Sequence, residues 1–143
     1  MNMSSKAQEV LADLVLMRSQ ETDPMGPIAD YVSRFMTRLG MDVRRYGSAD
    51  KPAFVGEHGK GGVMLSGHLD TVPIGTGWTK GQGEMVDGVM YGRGTNDMKG
   101  GCAAMLLAAE KLVAAGVPVA LCFTTDEETA MDGAAAASKD PAF

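Results

Sequence analysis

The chain is short of the residues that several protein classes depend on. It has two cysteines, Cys102 and Cys122, in 143 residues. They are too few and too isolated for a disulfide scaffold or a CxxC zinc site, and both are expected to be reduced thiols in the core. It has no excess of basic charge. The formal net charge is −5 and the pI near 4.9, without the basic stripe that a phosphate backbone requires, so no nucleic-acid partner is expected. Long uncharged apolar runs are missing too. The most apolar stretches carry Glu9 and Asp13 in one case and Glu110 and Lys111 in the other, so nothing reaches the ~18 apolar residues of a membrane span. The opening "MNMSSKAQEV" has no basic region leading into an apolar core, so it is no signal peptide and a cytoplasmic location is expected. No internal repeat or low-complexity segment is visible. With 45% hydrophobic and 22% charged residues the composition is that of a folded protein, and the length suits one domain or part of one.

What is present alternates between two periodicities. Ser5 to Gln8 fits a capping box, and Ala7, Val10, Leu11, Leu14 and Met17 recur at helical spacing, which predicts a helix over about 5–19. Pro27 suits a first helical position. Ile28, Tyr31, Val32, Phe35, Met36 and Leu39 then form one stripe, closed by Gly40. From Met41 the pattern becomes strand-length runs, "MDVRRY", "AFVGE" and "GGVMLSG", with "VMLSG" expected at the centre of a sheet. A glycine-rich connection over 73–88 precedes a brief strand at "GVMYG". A helix rich in small residues is predicted over 98–115, ended by Gly116 and Pro118. "PVALCFTT" reads as a strand, and the alanine-rich run after it as the start of another helix. This alternation predicts an α/β layered domain with a central mixed, largely parallel sheet flanked by helices.

In such sheets functional groups gather where strands open into loops. Three stretches of this kind carry metal-type ligands: "SGHLDTV" with His68 and Asp70, "GRGTNDMKGG" with Asp97, and "TTDEET" with Asp126, Glu127 and Glu128. Each has an ordinary structural reading, as a hydrogen-bonded His–Asp pair, a helix N-terminal acid and a solvated acidic turn. Their coincidence at one topological position changes the balance, because acids gathered at one edge repel unless a cation lies between them. A pair of divalent ions would relieve that repulsion and activate water for attack on an amide. Imidazole with carboxylates suits zinc, with cobalt or manganese as alternatives. Of two adjacent glutamates, one can hold metal while its neighbour moves a proton. His58, in "GEHGKGG", is expected at a solvent-exposed turn; that stretch is no phosphate loop, since Lys60 is followed by Gly61 rather than Ser or Thr.

The motifs "SGHLDTVP", "YGRGTNDMKGG" and "TTDEETAMDGA" resemble, in order and spacing, those of the two-zinc amidohydrolases and exopeptidases that include acetylornithine deacetylase, succinyl-diaminopimelate desuccinylase, aminoacylase and carboxypeptidase G. The resemblance covers about residues 65–134. It implies that His68 binds one metal, Asp97 bridges both and Glu128 binds the other. Glu127 would be the general base and later proton donor, and Asp70 a carboxylate that orients the His68 ring. Lys99, Gly100 and Gly101 would shape the turn after Asp97. The substrate would be a small-molecule N-acyl amino acid or short peptide, cleaved at its amide bond. The resemblance also implies an α/β catalytic domain interrupted by a smaller dimerisation domain, and a homodimeric full-length parent. Residues 1–143 would be the N-terminal part of that catalytic domain, without the dimerisation domain. The sequence departs from the pattern at Ala130, where the family often has glycine, and around Trp78, which lacks a following Asp-Pro-Phe. The family's remaining acidic and histidine ligands are expected beyond Phe143, so these residues alone would be inactive. A non-catalytic α/β module with weak metal binding is the alternative, as is a dipeptidase or carboxypeptidase of the same family.

Overall fold

The structure is a computed structural model and describes residues 3–143. Its first helix, α1 (Met3–Leu16), places Val10 and Leu14 in the core. It begins before Ser5, so the capping-box residue lies inside the helix, and it ends earlier than the periodicity predicts. The early end has a cause. Beyond Leu16 the backbone is drawn into sheet-like pairing, with Gln20 bridging to Thr71, Thr71 N–H donating to the Ser19 carbonyl at 2.9 Å, and Ser19 Oγ donating to the Leu69 carbonyl at 2.7 Å. α2 (Gly26–Arg38) buries Ile28, Ala29, Val32, Phe35 and Met36, as its stripe predicts. Gly40, at φ +80°, closes it: its N–H bonds the Thr37 carbonyl and the Met41 N–H bonds the Met36 carbonyl, the paired bonds of a left-handed helix stop.

Four strands form the main sheet: β1 (Asp42–Gly47), β2 (Pro52–His58), β3 (Val63–His68) and β6 (Val119–Thr124), in the order β1-β2-β6-β3. The sheet is mixed, as expected, but its parallel share is smaller than the alternation suggested. Only β3 and β6 run parallel, joined through helix α3 (Gly100–Ala114), while β1–β2 and β2–β6 are antiparallel. The centre is also different. β6 is interior and buried at all six positions, whereas β3 is an edge strand whose Val63 is 68% exposed. Hydrophobicity alone could not rank the two, because both are short apolar runs and strand order follows from the connections.

Along β6 the pleat sends Val119, Leu121 and Phe123 to one face, where they join α1, α2 and α3 in the main core. Cys122 faces the other way, with Ala53, Val55 and the Ala137 of α4 (Asp132–Ala137). Both cysteines are free and buried. The connection over 73–88 contains a further short strand, β4 (Glu84–Val86), paired antiparallel with β5 (Val89–Tyr91) across Asp87-Gly88, both at positive φ. The Asp-Gly pair between two apolar runs was the available signal for that hairpin.

A polar clasp fastens the chain's last described segment to the sheet. The Asp140 carboxylate, 3% exposed as a residue, accepts from Arg44 Nε (2.7 Å), Arg44 Nη2 (2.8 Å), Tyr46 Oη (2.7 Å) and the Ala142 N–H (2.8 Å). Arg44 Nη2 also reaches Glu57 at 3.1 Å. Among the described residues no helix is long and apolar enough to cross a membrane.

Candidate metal centre

The parallel pairing of β3 with β6 decides where the acidic motifs meet. His68 is in register with Thr124, so both strands end at the same edge, and the Leu69 N–H extends the ladder to the Thr124 carbonyl at 2.8 Å. Asp70 therefore lies beside Glu127 and Glu128. Between the two strands the chain crosses over through α3, and the start of that crossover returns to the same edge. There an irregular turn, Thr95–Lys99, carries Asp97 at φ −125°, ψ 102°, outside helical geometry, with a cis Asp97–Met98 peptide. His58 is at the opposite edge, half-buried and paired with Val119 at the start of β6.

One ligand atom from each of His68, Asp97 and Glu128 falls within 4.8 Å of the others. His68 is 6% exposed, and its Nε2 is 3.1 Å from Asp97 Oδ1 and 3.8 Å from Glu127 Oε2. Its other nitrogen, Nδ1, lies 3.0 Å from the Asp70 backbone carbonyl and 3.6 Å from Asp70 Oδ1. With its Nδ1–H donating to that carbonyl, the ring turns Nε2 toward the acids, so that this nitrogen donates to them when protonated and offers its lone pair to a metal when it is not. Asp70, expected to orient the ring through its carboxylate, thus does so at closest range through its backbone. The carboxylate is mainly engaged elsewhere, accepting the Glu127 N–H on Oδ1 at 3.2 Å and the Glu128 N–H on Oδ2 at 2.9 Å. The Cys102 thiol donates to the His68 carbonyl at 3.1 Å.

The electrostatics follow these contacts. The hydrogen bond and charge of Asp70, against burial, push the His68 imidazole up to about 9. Burial alone would raise the Asp70 carboxyl; the His68 bond and the two glutamate amides outweigh it and hold it below the usual carboxylate range. Glu127 is the more open of the glutamates, its side chain 44% exposed.

Three residues matter here in ways the sequence did not indicate. Lys99, read as a turn former, is 1% exposed, and its Nζ donates to the Met17 carbonyl at 2.9 Å. Burial lowers its ammonium to about 8. Asp126 faces away from the cluster and accepts the Gly133 N–H at 2.9 Å, bracing the Glu127–Glu128 loop from behind. A Cβ at Gly133 would be 2.7 Å from that carboxylate, which accounts for the glycine. Gly94 is the third. It combines φ +85° with a site where a Cβ would come 2.7 Å from Thr71 Cγ2 and 3.1 Å from Lys99 Cδ. Gly94→Ala is expected to cost about 1–2 kcal/mol from the backbone alone, plus the clash, and a urea melt that matches the unsubstituted protein would contradict this.

Comparison with known proteins bears on the family and the fold. The succinyl-diaminopimelate desuccinylase of Cereibacter sphaeroides is 36% identical over 137 residues, covering 87% of this chain and 36% of the relative. That of Novosphingobium aromaticivorans is 32% identical over 130 residues, covering 83% of this chain and 35% of the relative. The chain thus spans about a third of the length of these relatives. Among solved structures, an M20 family metallo-carboxypeptidase from Sulfolobus solfataricus superposes with a TM-score of 0.76 at 20% identity, over 90% of this chain and 32% of the other. Human carnosine dipeptidase 1 gives 0.73 at 24% identity, over 91% and 34%. At those identities the likeness establishes the fold. The sequence pattern of peptidase family M20/M25/M40 matches residues 64–142, more than half of the chain and all three acidic motifs, and the chain belongs to that family.

Proposed function

We propose that this chain is the N-terminal part of the catalytic domain of a metal-dependent hydrolase that cleaves the amide bond of an N-acyl amino acid or small peptide, of the desuccinylase or deacylase type. The observation that carries the proposal is the convergence of His68, Asp97 and Glu128 within 4.8 Å at one sheet edge, with Glu127 beside them. One imidazole and two carboxylates are a donor set that fits zinc or a similar divalent ion, and the engaged Nδ1 of His68 leaves Nε2 for coordination. His68, Asp97 and Glu128 would hold metal, with Asp97 shared if two ions bind. When bound, the metal supplies a Lewis acid and a nucleophile at neutral pH.

The chain's own groups do the rest. Glu127, open to solvent on the cluster's rim, takes the proton of the attacking water and later delivers it to the leaving amine. Asp70 fixes two consecutive amides, so the adjacent side chains project differently and can serve different roles. His68 stays oriented through Nδ1. The relatives named above support desuccinylation of an N-acyl diamino acid as the preferred chemistry. A protein of the relatives' full length would supply the remaining ligands and, in this reading, a dimerisation domain and a homodimer.

Two measurements test the proposal. Isothermal titration of the 143-residue chain with zinc is expected to show weak binding that His68→Ala and Asp97→Asn abolish; binding unchanged in both variants would remove the cluster as the metal site. The full-length protein carrying this segment is expected to release succinate from N-succinyl-diaminopimelate, or the acyl group of a related N-acyl amino acid, only with metal present. No hydrolysis across that series and across dipeptides would overturn the assignment.

A further inference from the structure

A small pocket lies between the end of α1 and the turn that carries Asp97. Arg18, Gln20, Thr71, Gln82, Arg93 and Lys99 contribute to its wall, and its volume of about 10 Å³ is room for one water-sized occupant. Of the three cations, Arg18 is paired with Asp23 at 3.4 Å, and the other two have needs the protein leaves unmet. Arg93 Nε is buried with no hydrogen-bond partner. The Lys99 ammonium, inside a residue only 1% exposed, uses one of its three donors, on the Met17 carbonyl. Among the described residues no carboxylate comes within the 4.0 Å of an ion pair with either. The nearby acids are committed: Asp23 to Gln20 and Arg18, Asp70 to the glutamate amides and His68. The Arg93 guanidinium carbon lies 5.5 Å from the centre of the Trp78 ring, and the Arg93 backbone N–H donates to Gln82 Oε1 at 2.7 Å.

Buried charges are ordinarily paired, and an unsatisfied buried donor is costly. Two cations without a carboxylate partner, one of them with a buried unbonded donor, line one small, partly open pocket, and together they suit an occupant that accepts hydrogen bonds and carries negative charge. Phosphate, sulfate and carboxylates are too large for this space. We propose that a single small monovalent anion, chloride by size and charge, binds between Arg93 and Lys99. Its place is structural: it ties the Arg93–Gly94 turn to Lys99, two residues past Asp97, and so holds the segment that presents this ligand. The inference does not depend on the hydrolase reading.

The test compares thermal unfolding in sodium gluconate, chloride and bromide at constant ionic strength. Linkage predicts a saturable Tm rise of about 3–5 °C at a halide concentration ten times the dissociation constant, with no such rise in gluconate. Arg93→Gln is expected to lose the halide difference. Crystals soaked in bromide should give an anomalous peak within hydrogen-bond reach of Arg93 Nε and Lys99 Nζ. Identical melting in all three salts, or a water without anomalous signal at that position, overturns the proposal. If Arg93→Gln does not fold, the comparison of salts and the bromide map decide the matter alone.

Discussion

If the proposed function holds, Glu127→Gln in a full-length protein carrying this segment is expected to lower turnover by about 10²–10⁴-fold while leaving bound metal unchanged. The expectation rests on the division of labour at the end of β6. Glu128 has an oxygen among the clustered ligand atoms, whereas Glu127, with its side chain 44% exposed, stands at the rim where a substrate and its water would arrive. Glutamine keeps the size and the hydrogen-bonding capacity but cannot accept a proton, so the loss should appear in kcat with little change in KM. Metal content by elemental analysis separates this from a ligand defect. Turnover close to that of the parent enzyme would remove Glu127 as the base, and loss of metal would move it into the ligand set.

Asp140→Ala is expected to destabilise the chain by about 3–5 kcal/mol, the scale for removing one partner of a buried ion pair. The clasp qualifies: the Asp140 side chain is fully buried, and the Arg44 side chain is 24% exposed. Removing the carboxylate leaves the Arg44 guanidinium and the Tyr46 hydroxyl without their main acceptor. The pH dependence carries a sign. The Arg44 hydrogen bonds, against a smaller opposing effect of burial and with help from Tyr46 and the Ala142 amide, hold the Asp140 carboxyl well below the usual carboxylate range. A depressed folded-state value means stability that is complete above the unfolded value, near 3.9 for aspartate, and is lost as pH falls further through the folded one. The gap between parent and Asp140→Asn in urea melts should therefore be constant between pH 7 and about 5 and shrink toward pH 3. A gap that persists undiminished at pH 3 would show that packing, not ionisation, is responsible.

These two sites differ in how visible they are in the sequence. The cluster was legible because its members sit in three motifs at the ends of recognisable elements, and because ordinary α/β topology brings such ends to one edge. The clasp was not. Arg44 and Asp140 are 96 residues apart, each an unremarkable polar residue in its own segment, and nothing local marks them as partners. Periodicity located most elements but not their neighbours, which is why β3 was expected at the centre of a sheet it in fact borders. The helix α1 ends early because Ser19 and Gln20 find better partners in Leu69 and Thr71, a tertiary preference that overrides local pattern. Lys99 is the instructive case among charged residues. In the sequence it reads as shaping the turn after Asp97, and only the close approach permitted by Gly94 reveals that its stem is enclosed.

The Asp70 carboxylate has a further consequence. Because it accepts the amide protons of both Glu127 and Glu128, those two N–H groups report on the opposite strand end. Their exchange with deuterium should be slow for a loop, and should quicken together in Asp70→Asn although neither glutamate has been altered. A pair of backbone signals thereby becomes a gauge of whether the two halves of the site are still in register.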